Sequence, residues 1–377
     1  MLTWVDVDVS ALQDNLRALS AGLPDGALVA PAVKGNAYGH GLVVAARAFA
    51  AAGADKLCIN ALYEARTLRD AGVQLPLYLV GHVATEDLAQ ALELGCELVV
   101  FNGETLDAIE ALAPDVPAQL HVKVETGNNR QGLGPDAARL LAERIVGSPR
   151  AVLAGVASHY ANVEDTTDHG YAKDQLRRFL AFCDDLGQRG IDAGLRHMSN
   201  SAASILWPEH CLDMVRIGIS AYGMWPSRET LVAALLGGRK DLELRPALTW
   251  KCRVVQVKEV PAGEFIGYGC SYRTTHRTRL AILPVGYYDG YDRGLSNVAH
   301  VLIDGHRAPV RGRVCMNITM VDVTDVPSAR LDSHVTLLGA DGDEAITAEQ
   351  FASWAGSINY EIVARINDRI PRVARQG

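Results

Sequence analysis

The 377-residue sequence predicts a (β/α)8 barrel followed by a mostly β domain. Between residues 27 and 217, short apolar runs alternate with amphipathic segments, an order that is typical of a parallel barrel. After residue 236, the strand candidates follow one another without helices between them. A doubly wound open sheet is the alternative, but no G-x-G-x-x-G motif follows any of the apolar runs to favour it.

The N-terminal half begins with an isolated strand pattern. Val5, Val7 and Val9 alternate with acidic residues, as in a half-buried strand. Ser10 and Gln13 then resemble a capping box, and leucines at helical spacing follow them. The barrel strands are predicted at residues 27–33, 56–60, 75–80, 97–101, 119–124, 153–158, 195–198 and 214–217.

The C-terminal part has a β pattern. Strands are predicted at residues 248–258, 278–283, 299–303, 320–323 and 335–338, with one late helix at 348–355. Asp304 and Gly305 are a plausible hairpin turn. We place the domain boundary between a barrel at residues 1–236 and a β-rich domain at 237–377, and the first strand is a candidate to pair with the C-terminal domain.

Composition narrows the class of protein. The chain is 49% hydrophobic and 21% charged, with a net charge of −8, and it has no dense basic run. Nucleic acid and anionic membranes are therefore not expected as partners. The seven cysteines are scattered without a C-x-x-C pair, which indicates unpaired thiols of a reducing cytoplasm and no metal site. No signal peptide or membrane span is expected from the apolar runs.

Several polar residues fall at the predicted C-terminal ends of barrel strands, where barrel enzymes place their catalytic groups. Lys34, followed four residues later by Tyr38 in a glycine-rich stretch, is a candidate for holding a carbonyl cofactor as a Schiff base. The alternative is a solvated turn lysine. Arg216 lies among apolar residues, so its guanidinium needs a partner, and Asp213 or another carboxylate is the candidate for a structural ion pair.

Taken together, the motifs at residues 32–41, 123–132, 199–203, 213–223, 266–269, 286–291, 314–316 and 358–361 resemble those of the alanine racemase family, pyridoxal-phosphate enzymes of fold type III. The likeness covers nearly the whole chain. The sequence departs from the family pattern at a few positions: Gly35 stands where alanine is usual, Gly267 where serine is usual, and Asn317 where aspartate is common, and Glu125 and Asn128 also differ.

The resemblance implies a role for each of these motifs. Lys34 would bind pyridoxal phosphate covalently, Arg216 would face the pyridine nitrogen, and His159 would support Arg216 or the ring. The phosphate would be held by Tyr38, Ser201, Gly218, Ile219 and Tyr360. Arg130 and Met316 would bind the substrate. Lys123 resembles a lysine that carries a carbamate in many members, the alternative being an ion pair with Glu125 or another acid.

The implied activity is interconversion of L- and D-alanine, supplying D-alanine for peptidoglycan. Lys34 would be the base on the D face and Tyr268, from the second subunit of a homodimer, the base on the L face. A serine or broad-specificity racemase is a close alternative. A fold-type-III decarboxylase and a non-catalytic pyridoxal-phosphate-binding barrel are further ones, although residues 237–377 follow the barrel here.

Overall fold

The computed structural model describes residues 1–376, which form two compact units. The barrel unit contains residues 12–35 and 45–245. The β unit contains residues 1–11 and 36–44 and the chain from residue 246 onward. By compactness the chain therefore divides after residue 245, and the boundary after residue 236 stays a prediction.

The strands in chain order are β1 (Thr3–Asp8), β2 (Leu28–Val29), β3 (Leu57–Ile59), β4 (Leu77–Leu79), β5 (Cys96–Val100), β6 (Ala118–Lys123), β7 (Ala151–Ala157), β8 (Leu195–His197), β9 (Met214–Val215), β10 (Leu248–Arg253), β11 (Gln256–Val260), β12 (Phe265–Ile266), β13 (Tyr272–Arg273), β14 (Thr278–Leu283), β15 (His300–Ile303), β16 (His306–Pro309), β17 (Thr319–Asp322), β18 (His334–Asp341), β19 (Glu344–Ile346) and β20 (Arg372–Arg375).

The helices are α1 (Val9–Ser20), α2 (Lys34–Tyr38), α3 (Leu42–Ala51), α4 (Leu62–Asp70), α5 (Leu88–Glu93), α6 (Gly103–Leu112), α7 (Pro135–Gly147), α8 (Gly170–Gln188), α9 (Ser201–Leu206), α10 (Arg228–Leu236), α11 (Ala348–Ala355) and α12 (Asn359–Ala364). Short 3-10 turns lie at Thr85–Asp87, Pro208–His210, Ile219–Tyr222, Tyr268–Cys270, Tyr287–Asp289 and Arg293–Leu295. Of the helices in residues 1–376, none is both long and apolar enough to cross a membrane.

The barrel unit has the predicted parallel architecture. Strands β3 to β8 pair in sequence order, each parallel to the next, and β2 pairs with β9. A parallel bridge between Ala32 and Cys58 joins β2 to β3. Hydrogen bonds from the Asp213 and Arg216 amides to the Arg196 and Ser199 carbonyls join the ends of β8 and β9, so the ring closes. All eight predicted barrel strands are confirmed, and their carboxyl ends share one rim.

The β unit is built on one mixed sheet, in the order β16-β15-β18-β10-β1-β20. The N-terminal strand β1 pairs antiparallel with β10 and parallel with β20. A smaller sheet has the order β11-β14-β17. The core of the β unit includes an aromatic cluster, because the Tyr291 ring lies 6.0 Å from that of Trp250, on β10 of the larger sheet, and 5.5 Å from that of Phe351.

Two local predictions need correction. The single strand predicted at residues 248–258 is wrong: β10 pairs with β18, whereas β11 pairs with β14 in the other sheet. Ser10 does not cap α1, since the helix begins at Val9 and the Asp8 carboxylate accepts the Ala11 amide at 2.9 Å. The hairpin turn is confirmed: Asp304 and Gly305 have φ values of +51° and +76° between β15 and β16.

Candidate active site

The predicted cofactor lysine lies in a left-handed turn. Lys34 follows β2 and starts α2, in which the backbone φ angles of the next four residues are +62°, +52°, +54° and +51°. Left-handed turns are costly for residues with a Cβ, so contacts from outside must hold this one. The Asn36 amide oxygen accepts the Leu42 amide at 2.8 Å, and its nitrogen donates to Asp368 at 2.9 Å. The Glu64 carboxylate accepts the Gly35 amide at 2.8 Å.

The departure at Gly35 has a physical explanation in this turn. Its φ is +62°, and a Cβ placed on it would meet nothing within 4 Å. Glycine at this position therefore has less backbone strain than alanine would have, and the difference does not involve side-chain packing. We expect Gly35→Ala to lower the free energy of unfolding by about 1 kcal/mol, as measured by urea denaturation.

The matched control for that change is Gly187→Ala. Gly187 lies within α8 and also has open space around it, but its backbone is not left-handed. Alanine should be stabilising there by roughly 0.5–1 kcal/mol. Equal effects at the two positions would contradict the assignment of strain to the Lys34 turn.

The Lys34 amine lies in a cationic, desolvated region. Burial lowers the pKa of its ammonium, and Arg130 and Arg216 add to the lowering. Cys58 and Glu64 raise the pKa of Lys34 and so oppose part of this lowering. The lowered pKa increases the neutral amine fraction, which is the form that condenses with a carbonyl group.

Four more predicted residues lie in the same region of the barrel unit. Burial lowers the pKa of Lys123 well below its ordinary value, and Arg216, Arg130 and Lys34 lower it further. Burial also lowers the pKa of His159 well below its ordinary value, with Arg216 as the next cause. The barrel unit thus brings Lys34, Lys123, Arg130, His159 and Arg216 together, as the sequence predicted. Such a cluster is suited to an anionic ligand.

Within residues 1–376, no carboxylate contacts the Arg216 guanidinium directly. It donates to the Ser158 carbonyl at 2.7 Å and meets the Nδ1 atoms of His159, at 3.3 Å, and of His197. The proposed partner Asp213 instead binds Arg196, at 2.8 and 3.1 Å. An ion pair between Arg216 and Asp213 is therefore wrong. Although burial lowers the pKa of Arg216, guanidinium remains a cation at neutral pH.

Lys123 likewise lacks the ion pair offered as its alternative. Its Nζ lies 3.5 Å from the Ser158 carbonyl. The Glu125 carboxylate accepts the Gly127 and Asn128 amides at 2.5 and 2.6 Å. Burial works to raise the Glu125 pKa, but these backbone hydrogen bonds outweigh it and lower the pKa below its ordinary value. Glu125 therefore shapes the loop that carries Arg130.

A small polar cradle lies beside Arg216 in sequence. The Ser201 hydroxyl oxygen, almost fully buried at the start of α9, accepts the Gly218 amide at 2.9 Å and the Ser220 amide at 3.4 Å. Ile219 lies between these two amides. Backbone N–H groups that converge on one hydroxyl form the kind of site that binds a phosphate. Together with an uncompensated Arg216 and a desolvated Lys34, this cradle fits pyridoxal phosphate.

A buried polar column below Arg216 was not identified from the sequence. His197 Nε2 lies 2.9 Å from His121 Nδ1, and His121 Nε2 lies 3.0 Å from the Glu97 carboxylate, which also binds Lys56. The only available signal was the occurrence of polar residues within otherwise apolar barrel strands. Periodicity could not show that their side chains meet.

The remaining predicted residues lie in the β unit. The Tyr38 and Tyr360 rings have centroids 6.2 Å apart. Tyr268 lies in a 3-10 turn and is 75% exposed, and Met316 is 55% exposed. An aromatic ring this exposed is available to a second molecule.

Asn317, where aspartate is common in the family, connects two segments of the β unit by a hydrogen bond. Its Nδ2 donates to Asp289 Oδ2 at 3.1 Å, and the same oxygen accepts the Gly286 amide at 2.9 Å. The Tyr288 amide also donates to the Met316 carbonyl at 2.9 Å. The amide at 317 thus helps to fix the segment that carries Met316.

We expect Asn317→Asp to lower the free energy of unfolding by about 1 kcal/mol at pH 7, because two carboxylates would then face each other near the surface. The loss should shrink near pH 4, where protonation removes the repulsion. Urea denaturation at both pH values measures this. Asn317→Ala, which removes the hydrogen bond without adding charge, should show no such pH dependence; an identical profile for both variants would argue against charge repulsion.

Comparison with known proteins shows the family of the chain. The family models of the alanine racemase N-terminal and C-terminal domains match residues 7–226 and 247–374. An alanine racemase of Desulfovibrio desulfuricans is 38% identical, with 98% of this chain and 97% of that protein covered. One of Symbiobacterium thermophilum is 40% identical, with 98% and 96% covered.

Solved structures show the same fold. The alanine racemase of Bacillus anthracis with bound L-Ala-P has a TM-score of 0.92 at 33% identity, covering 100% of this chain and 95% of that chain. The enzyme from D-cycloserine-producing Streptomyces lavendulae has a TM-score of 0.92 at 34% identity, covering 100% and 98%. With both domains matched and relatives alike over nearly their whole length, the chain belongs to the alanine racemase family, a family of isomerases.

Proposed function

We propose that this protein interconverts L- and D-alanine with pyridoxal phosphate. The observation that carries the proposal is the desolvated Lys34, at the start of α2, in one cluster with Arg216 and Arg130. Family membership supports the same conclusion. The test is the rate of racemisation of L-alanine by the purified protein with added cofactor, and a rate below those for other amino acids would overturn alanine as the main substrate.

We assign the cofactor contacts to the residues that the sequence singled out. Lys34 would hold the cofactor covalently, and Tyr38, Ser201, Gly218, Ile219 and Tyr360 would hold its phosphate. Pyridoxal phosphate, when bound, withdraws electrons from the amino-acid Cα and so acidifies its proton. Arg216, a permanent cation, would disfavour protonation of the pyridine nitrogen, and His159 would support Arg216.

Racemisation needs a proton acceptor on each face of Cα. In this proposal, the Lys34 Nζ exchanges the proton on the D face and the Tyr268 hydroxyl exchanges it on the L face. Arg130 binds the substrate carboxylate, and Met316 contacts the substrate. The lowered pKa of Lys34 supports its role, because a base must be able to exist as the neutral amine.

The second base would come from a second copy of the chain. In the β unit, which also carries the exposed Tyr268, the apolar residues Phe265, Met316 and Ile318 are 54%, 55% and 45% exposed. Exposed apolar side chains of this size indicate a protein interface. Mixing inactive Lys34→Ala and Tyr268→Phe subunits should therefore restore activity, since one of the two sites in a mixed dimer has both bases. No restoration after subunit exchange would exclude shared sites.

We further propose that Lys123 carries a carbamate. Its neutral amine attacks carbon dioxide: a nitrogen–carbon bond forms while one carbon–oxygen π bond opens onto oxygen, and the nitrogen proton passes to water, which leaves the carbamate anion. The lowered pKa of Lys123 favours the neutral amine, and the anion would offset the charges of Arg130 and Arg216.

The expected observation is a carbamate carbon resonance in the ¹³C NMR spectrum of protein equilibrated with ¹³C-labelled bicarbonate. Lys123→Met should remove the resonance, whereas Lys173→Met, at an exposed lysine of α8, should leave it unchanged. Absence of the resonance from the wild-type protein would show that Lys123 is unmodified under those conditions.

A serine or broad-specificity racemase is the second candidate. The departures at Asn128 and Gly267, which belong to the two motifs assigned to the substrate side, favour it. Rates for L-alanine, L-serine and L-lysine, measured side by side, distinguish the candidates. Matching of both family domains argues against a barrel-only binding protein, and carbon dioxide release from an amino acid would be needed to support a decarboxylase.

For the cellular role, we propose a cytoplasmic enzyme that supplies D-alanine for peptidoglycan. Seven free cysteines, five of them buried, support a reducing compartment. Deletion of the gene should then create a requirement for D-alanine in growth, and growth without it would overturn this role.

A further inference from the structure

The buried column below Arg216 has a defined hydrogen-bond direction. Arg216 can only donate, so His197 Nδ1 must accept from it. His197 Nε2 then carries its proton and donates to His121 Nδ1, 2.9 Å away. His121 Nε2 in turn donates to the Glu97 carboxylate at 3.0 Å, while Lys56 donates to the other carboxylate oxygen. Every donor thus meets an acceptor only if both imidazoles are neutral Nε2–H tautomers.

The electrostatics support this protonation pattern. Burial lowers the pKa of His197 well below its ordinary value, and Arg216 lowers it further. Burial also lowers the pKa of His121, against the opposing effect of Glu97. For Glu97, burial works to raise the pKa, but the hydrogen bonds from His121 and Lys56 outweigh it and keep the carboxyl ionised. The column therefore has charge only at its ends and two neutral rings between them.

The neighbouring residues pack closely around the two imidazoles of the column and exclude solvent from them. The buried Tyr78 ring packs on both imidazoles, with its centroid 4.6 Å from that of His121 and 5.2 Å from that of His197. A Cβ on Gly155, in the neighbouring strand β7, would come within 2.5 Å of His121 Nδ1. Only glycine at that position lets the imidazole lie where it meets His197. Because both imidazoles are fully buried, each of their donors depends on its protein acceptor.

We propose that Glu97 is a positioning residue for Arg216, which it orients through His121 and His197 by fixing the tautomer of each ring. The role of Arg216 toward the cofactor rests on the proposed function. The assignment of the two histidine tautomers does not, because it follows from the hydrogen bonds alone. The effect passes along three hydrogen bonds, and Lys56 balances the partly buried carboxylate at the far end.

A single substitution should reverse the donor and acceptor roles along the hydrogen bonds of the column. In Glu97→Gln, the amide oxygen turns to the Lys56 ammonium, so the amide NH2 group faces His121 Nε2. That nitrogen must then accept, which forces His121 and next His197 into Nδ1–H tautomers. The His197 Nδ1–H group would point at the Arg216 guanidinium, donor against donor. Arg216 loses a partner, and we expect the dissociation constant of pyridoxal phosphate to rise about tenfold.

A second variant distinguishes the expected tautomer switch from a general loss of packing around residue 97. In Lys56→Met with Glu97→Gln, no ammonium competes for the amide oxygen, so the oxygen accepts from His121 and both Nε2–H tautomers return. Cofactor affinity should recover to within about threefold of wild type, the usual margin for context-dependent effects. Glu93→Gln, at an exposed glutamate of α5, is the matched control and should change neither readout.

The experiment is ¹⁵N NMR of the histidine rings in the cofactor-loaded protein, together with cofactor titration and the visible spectrum. Nδ1–H signals in Glu97→Gln with weaker cofactor binding, both reversed in the double variant, are the expected result. Unchanged tautomers in Glu97→Gln, or switched tautomers with unchanged cofactor affinity and spectrum, would overturn the proposal. Because ring tautomers are read without substrate, failure to racemise alanine would count against the function and not against the column.

Discussion

Lys34→Ala should abolish both racemisation and the visible absorbance of covalently bound pyridoxal phosphate. The change removes the group that bonds to the cofactor and the proposed base on the D face. A general base alone contributes about 10²–10⁴-fold to the rate, so the combined loss should exceed that range. Spectra and rates of the variant with excess cofactor measure it.

The same substitution should leave the fold intact. Burial lowers the pKa of the Lys34 ammonium, so between that lowered value and the ordinary 10.5 the unfolded chain binds more protons than the folded protein. In the cofactor-free protein, where Lys34 is a free amine, the unfolding free energy therefore rises with pH across this window, and Lys34→Ala should flatten the rise. Lys173→Ala, at an exposed lysine, should keep the wild-type spectrum, rate and slope. A visible band that survives in Lys34→Ala would refute the assignment of this lysine.

Tyr268→Phe should stop racemisation while leaving the cofactor bound. It removes one hydroxyl from a side chain that is 75% exposed, so neither the core nor the barrel cluster changes. Racemisation should fall by about 10²–10⁴-fold in both directions, because the L face has lost its proton donor and acceptor. The visible spectrum should match that of the wild type.

Exchange of the alanine Cα proton with solvent distinguishes the bases on the two faces of the substrate in this variant. In D2O, Tyr268→Phe should still exchange the Cα proton of D-alanine, through Lys34, but not that of L-alanine. Tyr63→Phe, at a tyrosine that is 61% exposed in the barrel unit, is the control and should exchange both. Exchange of L-alanine at the wild-type rate in Tyr268→Phe would show that another group is the base on the L face.

Local patterns predicted the barrel and much of the site. The alternation of strands and helices puts the residues after each strand on one rim, so Lys34, His159 and Arg216 were expected to lie together, as the structure shows. The motifs that resemble the family fixed the remaining candidates. Their contacts with cofactor, substrate and a second subunit stay predictions.

What sequence reasoning missed depends on contacts that are distant along the chain. The left-handed turn at Lys34 is held partly by Asp368, and the direction of the column follows from Glu97 meeting a histidine on the next strand. The error at residues 248–258 has a similar cause: the Val254 amide binds Ser333 and the Val255 amide binds Ile282, so the chain changes sheets within an unbroken β pattern. Periodicity carries no information on such partners.

The isotope content of the first D-alanine formed from L-alanine in D2O tests the two-base mechanism most directly. If Lys34 and Tyr268 exchange protons on opposite faces, the product Cα hydrogen comes from a different group than the one that took the substrate hydrogen. The account predicts D-alanine with deuterium at Cα from the earliest turnovers, while the remaining L-alanine keeps protium. Product that retains the substrate's own Cα protium would indicate one base serving both faces and would contradict the account.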